Sequence, residues 1–280
     1  MATISEREAG QVEAANAGGR TPVIFIHGLW LLASSWERWA SLFEQAGYAP
    51  VLAEWPDDPA TVEQARANPA ALAGKKVGQV ADHMTKLATA LNKKPAVIGH
   101  SFGGLMAQIV AGRGLAAVSV AIDPAPFRGV LPLPLAALRS TMPVLGNPLN
   151  RGRAVALTLS QFRYGWANAL DEAEAKQLHE AFHVAAPGAP IFQAAMANLN
   201  PWTEVKVDSK NPERGPLLLF SGDEDHSVPP AMAHASHRKQ QRNRGVTELI
   251  DLPNRGHSLT IDHGWREVAE GSLEFVKRFT

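Results

Sequence analysis

The chain has 280 residues, 45% of them hydrophobic and 19% charged, a composition that suits one large α/β domain or a core domain carrying an insertion. Lysine plus arginine and aspartate plus glutamate each number 27, so no net field draws the whole chain to nucleic acid or to an anionic membrane. It has no cysteine, which excludes disulfide frameworks, thiolate catalysis and cysteine-ligated zinc or iron–sulfur centres.

Residues 1–20, "MATISEREAGQVEAANAGGR", are polar and acidic and lack the apolar core of a secretory signal, so they read as a flexible, cytoplasmic N-terminal tail. No run approaches the roughly 18 apolar residues of a membrane span. From Pro22 short apolar runs alternate with longer amphipathic stretches, the pattern of βα units around a parallel sheet. "PVIFIHG" predicts a buried strand that breaks at Gly28. "SSWERWASLFEQAGY" predicts a helix capped by Ser34 or Ser35, with Trp36, Trp39, Leu42 and Phe43 on one face and a stop at Gly47. The strand "APVLAEWP", a polar excursion with two prolines, and the helix "VGQVADHMTKLATAL" follow. "PAVIGHS" is the strand that delivers Ser101, "FGGLMAQIVAGRG" the helix after it, and "AAVSVAID" a further strand ending at Asp123.

The rhythm changes over residues 124–202. "PAPFRGVLPLPLAALRSTMPVLGNPLN" is apolar and too rich in proline for a central strand. "RAVALTLSQFRYGWANAL" and "DEAEAKQLHEAFHVAA" read as helices, the second with Asp171 and Glu174 at capping-box spacing. This segment is expected to be a helical cap inserted between a first core part, residues 21–123, and a second, residues 203–280. In the second part the strands "GPLLLFSGDEDH" and "VTELIDLPNRGH" flank the helix "PPAMAHASHRKQQRNRG", and "GWREVAEGSLEFVKRF" is the final helix.

The chemistry centres on Gly99-His100-Ser101-Phe102-Gly103, a G-x-S-x-G run in the strand, sharp turn, helix setting of a nucleophile elbow. A serine hydroxyl is a weak nucleophile, so a base must take its proton and an acid must hold that base in one tautomer. His257, in the loop "NRGHSLTIDHGW" near the end of the chain, has the order and setting of the base. His27 and His100 adjoin the two glycine turns and are expected to fix backbone there. His234 and His237 form an H-x-x-H pair with no third ligand at matching spacing, so no metal site is expected. Asp123, Asp223 and Asp225 each end a predicted strand, and each satisfies the order serine, acid, histidine. The oxyanion needs two backbone N–H groups: that of Phe102, after the nucleophile, and that of Leu29, in the loop after "VIFIHG".

"FIHGLWLLASSWERW", "GHSFGG", "SGDEDHSVP" and "GHSLTID" together resemble the α/β-hydrolase superfamily, particularly its small bacterial esterase and cofactor-free haloperoxidase-like branch. The resemblance implies an α/β-hydrolase fold, a mostly parallel central sheet flanked by helices, with a helical cap after the sixth strand. It also implies a triad of Ser101, Asp225 and His257, with Leu29 as an oxyanion donor and no cofactor. The bulky Trp30, Leu31 and Leu32 after His27-Gly28 depart from many relatives. The expected activity is cleavage of a carboxylic ester or lactone with an apolar moiety through an acyl-enzyme. Peracid formation, cyanohydrin cleavage, or a ligand receptor on the same scaffold are the competing readings. The cap, rich in Leu, Val, Met and Phe, is expected to choose the substrate, with Trp30, Met142, Phe162 and Trp202 as pocket walls.

Overall fold

The structure, a computed structural model, describes residues 3–280. Its centre is a sheet whose strands are β1 (Pro22–Ile26), β2 (Ala49–Ala53), β3 (Ala96–His100) and β4 (Val118–Ile122). Beyond these, the two-residue strands β5 (Ala154–Val155) and β6 (Ala186–Pro187) form a separate antiparallel pair, and β7 (Leu217–Gly222) and β8 (Thr247–Leu252) return to the main sheet. Among the described residues that sheet has six strands in the order β2-β1-β3-β4-β7-β8. Every ladder in it is parallel. Parallel strands need helical crossovers that cover both faces, so their side chains are buried on both sides. In β1, Val23 and Phe25 enter one core with Trp36, Trp39 and Phe43. Ile24 and Ile26 enter the other with Met84, Leu105 and Met106.

Two predicted boundaries shift. The helix expected from Ser34 begins as a 3-10 turn, Ala33–Trp36, and becomes α-helical over Glu37–Gln45, and Leu32 rather than a serine holds the capping position without a side-chain bond. The polar excursion after β2 contains a short helix, Val62–Ala67, capped by the Thr61 side chain.

The expected flexible tail is a helix, Glu6–Gly18, closed by a reciprocal box between Ser5 and Glu8. It is attached mainly by polar groups, which is why its weak apolar pattern hid it. Glu8 is fully buried, meeting His83 Nε2 at 3.0 Å and accepting from the Glu54 amide at 2.9 Å. Gln11 accepts from the amide of Leu52 in the edge strand β2, so the helix blunts an exposed sheet edge.

Residues 124–202 stand between β4 and β7 and contribute no strand to the main sheet among the described residues. The insertion therefore follows β4, the strand next to the one that carries Ser101. Its helices are Leu135–Leu145, Leu159–Gly165, Glu172–Phe182 and Ala189–Ala195. The long helix expected from Arg153 shrinks to Leu159–Gly165, because Thr158 and Gln161 form a capping box that starts it late while Ala154 and Val155 pair with β6. Asp171 caps its helix as expected, accepting from Glu174 N at 2.8 Å. The Glu174 carboxylate turns away to the amide and Nδ1 of His263, tying the insertion to the second core part.

Candidate active site

Ser101 lies between β3 and the helix Phe102–Gly112, with φ 55° and ψ −120°, a left-handed conformation that non-glycine residues adopt only when their surroundings enforce it. Close crossing of strand and helix enforces it here. A Cβ at Gly99 would collide with the carbonyl of Gly103, and one at Gly103 with the carbonyl of Ile26. The helix start thus rests against β3 and β1 with no room for a side chain, and the strain at Ser101 lifts its hydroxyl beyond the strand end.

His257, in the loop after β8, brings Nε2 to 3.0 Å from Ser101 Oγ and Nδ1 to 2.6 Å from Asp225 Oδ2. All three residues are buried. The other Asp225 oxygen accepts from the amides of Ser227 and Val228 at 2.6 and 2.8 Å, which fixes the carboxylate plane. The His100 ring donates through Nε2 to the carbonyl of His257 at 2.8 Å. Burial, reinforced by the neighbouring His257, holds His100 well below the usual histidine range, so it stays a neutral donor. His100 was expected to fix backbone at its own glycine turn; its Nε2 instead holds the backbone of His257, 157 residues away. His27 similarly braces its own loop through the Gly28 carbonyl at 2.8 Å and Asp58 at 3.0 Å.

The three aspartates separate by geometry. Asp223 is exposed and its amide donates to the Leu252 carbonyl, the position of a turn former. Asp123 accepts from the Gly222 amide through Oδ1, while its Oδ2 lies 4.0 Å from His257 Nδ1, too far for a hydrogen bond. Burial, and then the adjacent Asp225 charge, push the Asp123 carboxyl well above the usual range. It therefore stands as a neutral acid beside the pair that touches.

His100, Asp123 and His257 present three ligand atoms within 4.8 Å of one another. Nδ1 of His257 is already engaged by Asp225 and His100 spends Nε2 on a carbonyl, while His100 Nδ1 and Asp123 Oδ2 have no hydrogen-bond partner among the described residues. His234 pairs with Asp251 at 2.7 Å.

The amides of Leu29 and Phe102 donate to no acceptor among the described residues. That of Phe102 is one of the orphan N–H groups of a helix start. A Cβ at Gly28 would stand 2.8 Å from the Ser101 Cβ, so the loop carrying Leu29 can approach Ser101 only because residue 28 is glycine. Trp30, at φ 64°, is pinned by its indole donating to the Val155 carbonyl and its carbonyl accepting from Val184.

A cavity of about 130 Å³ opens at Ser101 and His257, walled by Trp30, Phe102, Leu133, Leu138, Ile191 and Met232 among others. Of the four expected wall residues only Trp30 lines it. Phe162 is fully buried one layer behind, stacked on Trp166 at 5.9 Å. Met142 and Trp202 are exposed outside it. Trp166 was missed: its ring stands edge-on to His257 at 4.7 Å, and its carbonyl accepts from Ser258 Oγ. Nothing in "QFRYGWANAL" marks that residue, because the contact exists only after the insertion folds back over the loop at 257.

A serine, a histidine and a carboxylate joined by hydrogen bonds beyond the strand ends of a parallel sheet define a class of α/β protein built around a nucleophile elbow. The chain belongs to the alpha/beta hydrolase family, whose sequence profile matches residues 23–271. No curated protein sequence matches it. Similar solved structures include the monoacylglycerol lipase of Paleococcus ferrophilus, 18% identical with TM-score 0.64, covering 92% of this chain and 95% of the lipase. An extracellular α/β-hydrolase from a Paenibacillus species is 19% identical with TM-score 0.65, over 91% of this chain and 98% of that one. A pyrethroid hydrolase from Sphingobium faniae is 17% identical with TM-score 0.62, over 92% and 97%.

Proposed function

We propose that the protein is a serine hydrolase that cleaves a carboxylic ester or lactone bearing an apolar group, through an acyl-enzyme. The observation that carries this reading is the unbroken chain from Ser101 Oγ through His257 to Asp225, at 3.0 and 2.6 Å, opening onto an apolar cavity. Ser101 Oγ attacks the carbonyl carbon while His257 Nε2 takes its proton. Asp225 holds Nδ1–H, so that Nε2 is the free acceptor, and stabilises the imidazolium that forms. The amides of Leu29 and Phe102 donate to the developing oxyanion. His257 then protonates the leaving alcohol, and water repeats the sequence to release the acid. Residues 124–202 act as a cap, with Leu133, Leu138 and Ile191 holding the apolar group. Each step uses side chains and amides of this chain, with no metal or cofactor.

A panel of p-nitrophenyl esters of graded acyl length, run on the wild type and Ser101→Ala, tests this. Steady turnover that favours apolar acyl groups and vanishes in the variant is expected. Stoichiometric labelling without turnover, or a variant as fast as the wild type, would contradict it.

A further inference from the structure

The cap carries an unusual outer surface. Leu131, Leu135, Leu199 and Trp202 are 75%, 83%, 76% and 86% exposed, and Leu133, Met142, Leu149 and Met196 are each about half exposed or more. Scattered exposed leucines need no explanation, but a set drawn together on one face does. Two segments form this face. Asn198 accepts from the Gly129 amide and donates to the Val130 carbonyl, and Arg128 donates to the Pro201 carbonyl, so the loop at 196–202 is laced to the start of the segment 130–142. Within the helix Leu135–Leu145, Ala137 and Val144 point inward, while Leu135, Leu138 and Met142 line the outer side at i, i+3 and i+7. The helix is therefore apolar on both sides, and none of the described residues covers the outer one. Leu133 and Leu138 belong both to this face and to the cavity wall, so the face runs into the opening above Ser101.

Charge is unevenly spread over residues 124–202, whose acidic groups, Asp171, Glu172, Glu174 and Glu180, all lie in the second half. Between Asp123 and Asp171 there are five arginines, 128, 139, 151, 153 and 163, and no aspartate, glutamate or lysine. Arg128, Arg139, Arg151 and Arg153 are exposed and form no ion pair among the described residues. Glu204, the acid that follows Trp202, is held by the Gly78 amide and Gln193.

We propose that this face docks the protein on an anionic lipid–water interface, with the leucines and Trp202 entering the headgroup boundary and the arginines meeting lipid phosphates. The chemistry matches an exposed apolar face on a segment, residues 124–170, whose only charged side chains are arginines. Trp202 has the amphipathic ring that settles at such boundaries. A second protein seated here would close the cavity, whereas a lipid surface delivers an apolar substrate into it. That last step rests on the hydrolase reading; the docking itself does not.

Co-sedimentation with phosphatidylcholine vesicles, with and without phosphatidylglycerol, tests the proposal on the wild type, on Leu131→Ser/Leu135→Ser/Leu199→Ser and on Arg151→Gln/Arg153→Gln. Wild type binds the phosphatidylglycerol vesicles more tightly. The triple variant loses at least tenfold in affinity while turnover of a short, water-soluble ester is unchanged. Each arginine removed costs roughly fivefold on anionic vesicles only. Ser101→Ala binds as wild type does, so a failed hydrolase reading and a failed docking reading give different results. Absence of binding to either vesicle, or binding that ignores both variants, overturns the proposal. So does a concentration-dependent dimer in sedimentation velocity that the triple variant abolishes, which would assign the face to a second copy of the chain.

Discussion

The hydrogen-bonded centre at the strand ends and the outer face of the insertion are close together and built on opposite principles. At the centre Ser101, His257 and Asp225 are buried, and backbone crossings with no room for a Cβ fix their positions. At the outer face Leu131, Leu135, Leu199 and Trp202 stand in the open among the described residues. Ser101, His257 and Asp225 are each held by hydrogen bonds to the next in a buried setting, so a change at one is felt by the others. An exposed apolar group carries no such coupling and acquires its meaning from what arrives. Chemistry is therefore expected to be brittle to mutation at the centre and graded across the insertion.

The contrast breaks most severely at the nucleophile. Ser101→Ala and His257→Ala should each lower kcat on an ester by about 10⁶, the loss seen when a serine-protease triad loses its serine or histidine; a fall below about tenfold would remove either residue from the reaction. Next comes the acid. Asp225→Asn should cost about 10⁴ in kcat by favouring the wrong tautomer of His257, whereas Asp123→Asn should stay within about tenfold in folded protein. Reversed effects would move the acid one strand earlier, to the end of β4. In the cavity wall, Leu138→Phe should shift preference toward shorter acyl chains by about 10- to 200-fold in kcat/KM, the range for one mismatched group in an apolar pocket. A preference that never moves would make the cap a packing element.

The smallest predicted effect sharpens the comparison through pH. Asp123, with its folded pKa raised by burial and by Asp225, keeps its proton where the unfolded chain has lost it. Its contribution is present below the unfolded value of about 3.9 and is lost as pH rises through the folded pKa, by about 1.4 kcal/mol per pH unit within that window. His183, in the insertion, is the reverse case. Burial, with His179 and Arg66 nearby, lowers it to about 3, and its neutral Nε2 accepts from the Leu157 amide. The unfolded chain binds the proton first, so this contribution is present above about 6.5 and is lost as pH falls toward 3. Urea midpoints measured from pH 4 to 8 should show Asp123→Asn gaining on the wild type as pH rises. His183→Gln should lose less than the wild type as pH falls. Parallel curves for all three proteins would remove both groups from the pH dependence.

What could be read from the sequence follows the same division. The βα rhythm, the elbow and His257 were legible because strand burial and the G-x-S-x-G turn impose local patterns. From the residues alone Asp225 was one of three aspartates at strand ends, and only the family resemblance selected it; in the structure two amide donors and a 2.6 Å contact to His257 stand at Asp225 once β7 and β8 are adjacent. The helix Glu6–Gly18 was missed because its anchors, Glu8 and Gln11, are polar and find their partners 75 and 41 residues away. Phe162, Met142 and Trp202 were assigned to the pocket by type alone, and which apolar residue faces a cavity depends on how the insertion folds back. Trp166, against the His257 ring, lies beyond any local pattern.

The central claim, that His257 activates Ser101, is tested most directly by a fluorophosphonate probe followed by intact mass and peptide mapping. One adduct per chain on Ser101 is predicted, absent in Ser101→Ala and slowed by several orders of magnitude in His257→Ala. An adduct on another residue, or ester turnover that continues after Ser101 is fully labelled, would contradict the account.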